Sequence, residues 1–387
     1  MTESPTDNSA TVIVGMSGGV DSSVVALRLL NAGYTVEGLH MTNWDDDGEG
    51  YCTAAEDLQD ARRVADQLGI VLHHVNFAAD YRDRVFDYFL DEYRAGRTPN
   101  PDVLCNREIK FGVFADYAAR LGADLIATGH YARCARQDGQ ATLHKGLDAG
   151  KDQSYFLHAV TAAQLDNVRF PLGELNKTEV RRLATEAGLT THRKKDSTGI
   201  CFIGERPFRE FLAQYLPAQP GDIVDEHGTP VGRHHGLMYY TYGQRQGLGI
   251  GGQRGATEAP WFVAQKHLED NVLQVVQDKH HPWLMHGTVN CRDWHWIAGI
   301  APMLTGRTFT AKIRYRQADQ ACQAHCAADG SVQLTFQDAQ WAVAPGQYAV
   351  LYDGDRCLGG GAIDETTSAN THDFQLSAAT RPAAHSI

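Results

Sequence analysis

Residues 15–23, GMSGGVDSS, lie between a β-branched apolar run at 11–14 (TVIV) and a helical run at 24–30 (VVALRLL) that closes on Asn31 and Gly33. A strand that hands over to a helix through a glycine-rich turn fixes both of its neighbours. Gly18 and Gly19 let the backbone come close to an anion, Ser17, Ser22 and Ser23 offer hydroxyls, and the unpaired N–H groups at the helix start favour negative charge. The stretch reads as a phosphate cradle.

Neither the G-x-x-x-x-G-K-[ST] loop of kinases and GTPases nor the dinucleotide fingerprint G-x-G-x-x-G is present after this first strand. The lysine is missing and Asp21 stands inside the loop. An acid beside phosphates predicts a bridging Mg²⁺ with Asp21 as its protein ligand. SGGVDS resembles the pyrophosphatase loop of ATP-dependent adenylating enzymes, which activate a carbonyl oxygen as an AMP ester.

Further along, 35–41 and 70–76 read as strands, and 124–128 (DLIAT) as another that stops at Gly129 and His130. Helices are expected over 53–68, opened by a capping box of Thr53 and Glu56, over 81–93 and over 107–121. This alternation predicts an α/β fold with a doubly wound parallel sheet, whose ligands gather beyond the carboxyl ends of the strands at 15–22, Met41 and Gly129. Residues 98–106 (TPNPDVLCN) read as a proline-stiffened loop carrying Asp102 and Cys105, and Asn176 opens a helix through Ala187. From Pro217 the pattern changes to short strands, with a hairpin turn at Asp270 and Asn271. Four segments follow: an N-terminal catalytic domain over 1–216, a central β-rich domain over 217–281, a C-terminal β-barrel over 282–365, and a polar, disordered tail from 366 to 387. No helix follows 243–252, which makes that glycine-rich stretch a flexible or partner-ordered loop.

A hydrophobic content of 43% and a charged content of 21% suit a soluble globular chain. No apolar run approaches the roughly 18 residues that span a membrane. The polar N-terminus lacks a basic region and an apolar core, so a cytoplasmic protein is expected. A formal charge of −12 argues against indiscriminate nucleic-acid binding but leaves room for a local basic face, for which Arg181, Arg182, Arg193, Lys194, Lys195, Arg206 and Arg209, and later Arg307, Lys312, Arg314 and Arg316, are available. Eight cysteines with no C-x-x-C pair argue against structural zinc and against a disulfide framework.

Cys105 and Cys201 differ from the other cysteines because each has Gly, Pro, Asn or Ser neighbours instead of an apolar run, and both read as exposed loop thiols. The basic run at 192–195 favours a thiolate at Cys201 if the turn folds back. At this level two readings stay open: sulfur transfer onto an activated carbonyl, or an ATP pyrophosphatase of the amidotransferase or synthetase type in which these thiols are idle.

GMSGGVDSS, YCTAAED, AGRTPNPDVLCN, ATGHY, LDAGKDQSYFL, KKDSTGICFIG, GLMYYTYGQRQGLGIGG, RYRQ and CLGGG, in this order over nearly the whole chain, resemble the bacterial tRNA-specific 2-thiouridylases. The resemblance implies an adenine nucleotide alpha hydrolase-like domain followed by two β-rich domains. It also implies 2-thiolation of the wobble uridine of tRNA, those for Lys, Glu and Gln, using ATP and Mg²⁺ and sulfur from a persulfide donor protein of a sulfur relay. By the same resemblance Gly15, Met16, Ser17, Gly18, Gly19, Val20, Asp21 and Ser22 hold the ATP phosphates, and Met41 and Gly129 the adenosine. Asn100, Pro101 and Asp102 receive the flipped base, and Asp102 serves as acid or base on it. Cys105 is the nucleophile, Cys201 carries the persulfide, and a disulfide between them ends the turnover. His130, Lys151, Asp152, Gln153, Arg314, Tyr315 and Gln347 contact tRNA. A non-catalytic tRNA-binding protein that uses ATP only as a structural ligand is the remaining alternative.

Overall fold

The computed structural model describes residues 10–44, 53–196, 208–250 and 259–368, with backbone alone at 53–54 and 365–368. Cys201, Arg206 and most of the expected tail lie outside the described residues.

Strands β1 (Thr11–Gly15), β2 (Thr35–Thr42), β3 (Leu72–Asn76) and β4 (Leu125–Ala127) belong to one parallel sheet. A hairpin, β5 (Ala132–Gln137) and β6 (Gln140–Lys145), precedes its last strand, β7 (Val168–Arg169). The sheet order is β3-β2-β1-β4-β7, with every pairing parallel. Alternation along β1 explains why both faces are covered. Val12 and Val14 pack with helix α1 (Val20–Asn31) and the helix Lys177–Glu186, whereas Ile13 points to the other side, into a cluster with Tyr81, Phe89 and Phe114. Each of these fully buried aliphatic side chains contributes about 2 kcal/mol of transfer free energy. Chain order reverses between β2 and β4, on either side of β1, so the crevice for a ligand opens beyond Gly15 and Ala127.

Two local expectations are corrected. Helix α1 begins at Val20, not at the apolar run, so Asp21 and Ser22 occupy its first turn instead of the loop. Residues 98–106 are not a loop with an exposed thiol: Asn100 caps a helix at Pro101–Leu104, which continues as a π-helical stretch, Cys105–Val113, and then as the helix Phe114–Arg120. The wide turns end in a kink at Gly112, whose φ of −107° and ψ of −105° are not helical. Cys105 is only 2% exposed and packs in the core.

The central domain is a four-stranded sheet in the order β10-β11-β8-β9, made of β8 (Gly221–Val224), β9 (Pro230–His234), β10 (Phe262–His267) and β11 (Val272–Val276). As expected, β10 and β11 form a hairpin, with Asn271 at a φ of +53° in its turn. The C-terminal strands β12 (Met285–Trp296), β13 (Phe309–Lys312), β14 (Gln320–Cys326), β15 (Val332–Trp341), β16 (Tyr348–Asp353) and β17 (Arg356–Ser368) close into a barrel through β12–β17 pairing. β17 runs past the expected end of the barrel at 365, because Thr366, Thr367 and Ser368 pair with Val289, Thr288 and His286. The hairpin β5–β6, which the sequence did not reveal, extends the barrel sheet by pairing with β17. Among the described residues no helix is long and apolar enough to cross a membrane.

Candidate active site

The glycine-rich turn is shaped as an anion site. Gly18 has a φ of +77°, and a Cβ there would stand 2.2 Å from the Asp57 carbonyl oxygen, so only glycine fits. The hydroxyls of Ser22 and Ser23 donate to the Gly19 carbonyl at 3.1 and 2.8 Å, and Ser22 Oγ accepts from Ser17 N at 3.2 Å. Gly19 caps α1 without any side-chain cap, which leaves first-turn N–H groups facing the crevice. Gly129 lies against this turn: a Cβ there would be 3.0 Å from Asp21 Cβ.

A chain of charges surrounds Asp21. Lys177 Nζ donates to both of its carboxylate oxygens at 2.7 and 2.8 Å, and the Tyr131 hydroxyl donates to Oδ1 at 2.8 Å. Lys177 also reaches Asp196 at 2.8 Å, which in turn accepts from Lys151 at 2.7 Å and Arg181 at 2.8 Å. Burial, the largest single influence on Asp196, works to raise its carboxyl; the hydrogen bonds and charges of Lys151 and Lys177 together outweigh it and hold it at about 2. Burial, reinforced by the Asp21 charge, pushes the Tyr131 phenol far up, so it stays a donor. Asp148, which accepts from Lys177 N at 2.9 Å, completes a cluster in which three cations, Lys177, Lys151 and Arg181, are interleaved with three carboxylates.

A protein-held Mg²⁺ does not fit these residues. Lys177 occupies both oxygens of Asp21, and among the described residues no three His, Cys, Asp or Glu side chains gather as metal ligands.

The second half of the site is the helix entered at Asn100. Its side-chain oxygen accepts from Asp102 N at 3.2 Å, and Pro101 occupies the first turn, where no N–H is needed. Burial raises the Asp102 carboxyl above the ordinary range, opposed by the charge of Lys110. The freed carbonyl of Phe111 in the π-helical stretch accepts from Gln164 Nε2 at 2.8 Å. The same helix reaches the phosphate turn, since a Cβ on Gly15 would touch the Phe114 ring at 3.5 Å. His130 is buried between the rings of Phe111 and Phe170 and shares a 2.7 Å hydrogen bond with Thr128; burial, aided by Lys110, holds it neutral.

Residues 10–205 match the tRNA methyl transferase HUP domain, 209–277 the tRNA methyl transferase PRC-barrel domain and 286–363 the aminomethyltransferase beta-barrel domain. The tRNA-specific 2-thiouridylase MnmA of Alcanivorax borkumensis is 60% identical over 367 residues, 95% of this chain and 100% of that one. Its counterpart from Chromohalobacter salexigens is 62% identical over 356 residues, 92% of each chain. The chain belongs to the tRNA-specific 2-thiouridylase family.

In this 2-thiouridylase-family chain only some of the residues marked by resemblance come together. Those at 15–22, Gly129 and 151–153 come together around Tyr131, whose N–H donates to Gln153 Oε1 at 3.0 Å and whose carbonyl accepts from Gln153 N at 2.9 Å. Met41, on β2, packs against the cluster that contains Cys105. Asp152 is buried and bonded to Gly146 N, Ser154 and, at 3.3 Å, Lys312 of the barrel. The Tyr315 ring packs against Phe156 with centroids 4.3 Å apart and a tilt of 43°, and the Phe156 carbonyl accepts from Asn106, the neighbour of Cys105. Arg314 turns inward, donating to the carbonyls of Trp341 and Ala342 over the Trp341 ring. Gln347 donates to the Thr98 carbonyl at 2.7 Å.

Sequence reasoning missed Lys177, Tyr131 and Asp196. Lys177 supplies the cation absent from the loop, from 156 residues away. Its position just after the Asn176 cap was the one local signal, because that helix start must face something. Much of the expected basic face is internally paired: Lys194 with Asp57 and Asp60, and Arg182 with Glu179 and Glu186.

Proposed function

We propose that this chain, a tRNA uridine sulfurtransferase by family, activates O2 of the wobble uridine with ATP and replaces that oxygen by sulfur from a cysteine persulfide. The observation that carries the reading is the junction of two half-sites: a cation-backed phosphate turn at 15–22, and a capped helix that bears Asp102 and leads into buried Cys105, continuing to Phe114 beside that turn. The N–H groups of the turn, with Lys177, Lys151 and Arg181, hold the triphosphate and take up the charge of departing pyrophosphate. Any Mg²⁺ arrives with ATP, its ligands chiefly phosphate oxygens.

Ionised Asp102 takes the N3 proton of the flipped base as O2 attacks the α-phosphorus and pyrophosphate leaves. The terminal sulfur of a Cys201 persulfide then attacks C2, and AMP departs as the C2–S bond forms. The Cys105 thiolate attacks Cys201 Sγ, the sulfur–sulfur bond breaks toward the base, and N3 regains its proton. What remains is 2-thiouridine and a Cys105–Cys201 disulfide, which an external thiol must reduce. Delivery as hydrosulfide, after Cys105 cleaves the persulfide, gives the same products. Because Cys105 is buried, its step requires the start of its helix to open toward the base.

The test is to load Cys105→Ser and Cys201→Ser with sulfur from a persulfide donor, map persulfide by mass spectrometry and assay tRNA in parallel. Cys105→Ser should carry persulfide at Cys201 and make no 2-thiouridine, and Cys201→Ser should accept none. Thiolation by Cys201→Ser would refute the division of labour.

A further inference from the structure

Just upstream of Asn100, residues 96–98 are gripped by all three domains. From the central domain, Lys266 Nζ donates to the Gly96 carbonyl at 2.9 Å, and Thr241 Oγ1 lies 3.3 Å from Thr98 Oγ1. Leu268 fills the space beside Gly96: a Cβ there would meet its side chain at 2.6 Å. From the barrel, the Pro345 carbonyl accepts from Thr98 N at 2.8 Å and Gln347 Nε2 donates to the Thr98 carbonyl at 2.7 Å. Within the catalytic domain, Arg97 holds both oxygens of Glu92 at 2.8 and 2.6 Å, and barrel residue Arg292 holds the same pair at 2.9 Å. Glu92 is 3% exposed, and two guanidiniums, Arg97 and Arg292, meet its side chain there.

Both backbone polar groups of Thr98 are therefore committed to the barrel. Asn100, which follows closely, caps the helix that bears Asp102 and leads into Cys105. A small shift of either C-terminal domain would be transmitted along this short, hydrogen-bonded path to the groups that meet the base. We propose that residues 96–98 are the junction through which the two C-terminal domains hold the base-receiving segment in place, with Lys266 and Thr241 as positioning residues. The role rests on the thiolation reading above.

The experiment compares Thr241→Val and Lys266→Met with the unaltered chain, measuring tRNA affinity by filter binding and 2-thiouridine formation in single turnovers at saturating tRNA. Both variants should bind tRNA within about twofold of the unaltered chain yet thiolate about ten- to a hundredfold more slowly, the scale expected for a misplacement of reacting groups. Unchanged rates would overturn the junction, as would a defect that excess tRNA restores, which would make these residues tRNA contacts. Failure of both variants to fold also counts against it, because the residues would then hold the domains and not the segment. If the unaltered chain makes no 2-thiouridine, the proposed function itself fails and the junction's role falls with it.

Discussion

Lys177 joins Asp21 to Asp196, and its ammonium is the cation best placed to meet phosphate charge. Lys177→Met should lower tRNA-dependent AMP release about a hundredfold while leaving the fold intact, the scale seen when one preorganised donor to a developing charge is removed. Assays at saturating ATP, with a melting curve as control, decide this. Asp102 gives a pH test. Its carboxyl is raised by burial, and as a base it acts only when ionised, so activity should fall on acidification through a limb lying above the ordinary aspartate range. Asp102→Asn should abolish most of the activity and remove that limb; an unchanged limb would assign it elsewhere. The tight turn at Gly18 could be read from its local string. Lys177 and Asp196 could not, because an ion pair made across 156 residues leaves no mark in either neighbourhood.

At the scale of elements, hydrophobic period and caps located β1, β2 and the Asn176 helix, which ends on Ala187 as expected. The helix of Cys105 was misread as a loop because two prolines and an asparagine look like turn residues, although Asn100 and Pro101 are equally a cap and a first turn. Its π-helical stretch has no sequence signature, since the carbonyl it frees is satisfied by Gln164 from another helix. Gln164→Ala should therefore leave the Phe111 carbonyl unpaired and cost about 2 kcal/mol, read as a lower denaturant midpoint at constant slope. An unchanged midpoint would show that the wide turn is stable without this bond.

Across the whole molecule, the barrel is built into the catalytic domain. Its sheet is extended by the β5–β6 hairpin of the catalytic domain, and Lys312 meets Asp152 inside the joint. Strand content announced two β-rich domains, but composition could not show that they interlock with the first. Lys312→Met should leave Asp152 short of a cation and destabilise the chain by about 3 kcal/mol in one cooperative transition. Separate transitions for barrel and catalytic domain would refute the interlock. The central claim is that this enzyme adenylates the base instead of phosphorylating it. The direct measurement incubates the chain with α- and γ-labelled ATP, the sulfur donor and tRNA, and resolves the nucleotides alongside the digested nucleosides. AMP and pyrophosphate should accumulate in step with 2-thiouridine and only when tRNA is present; ADP and inorganic phosphate in their place would contradict it.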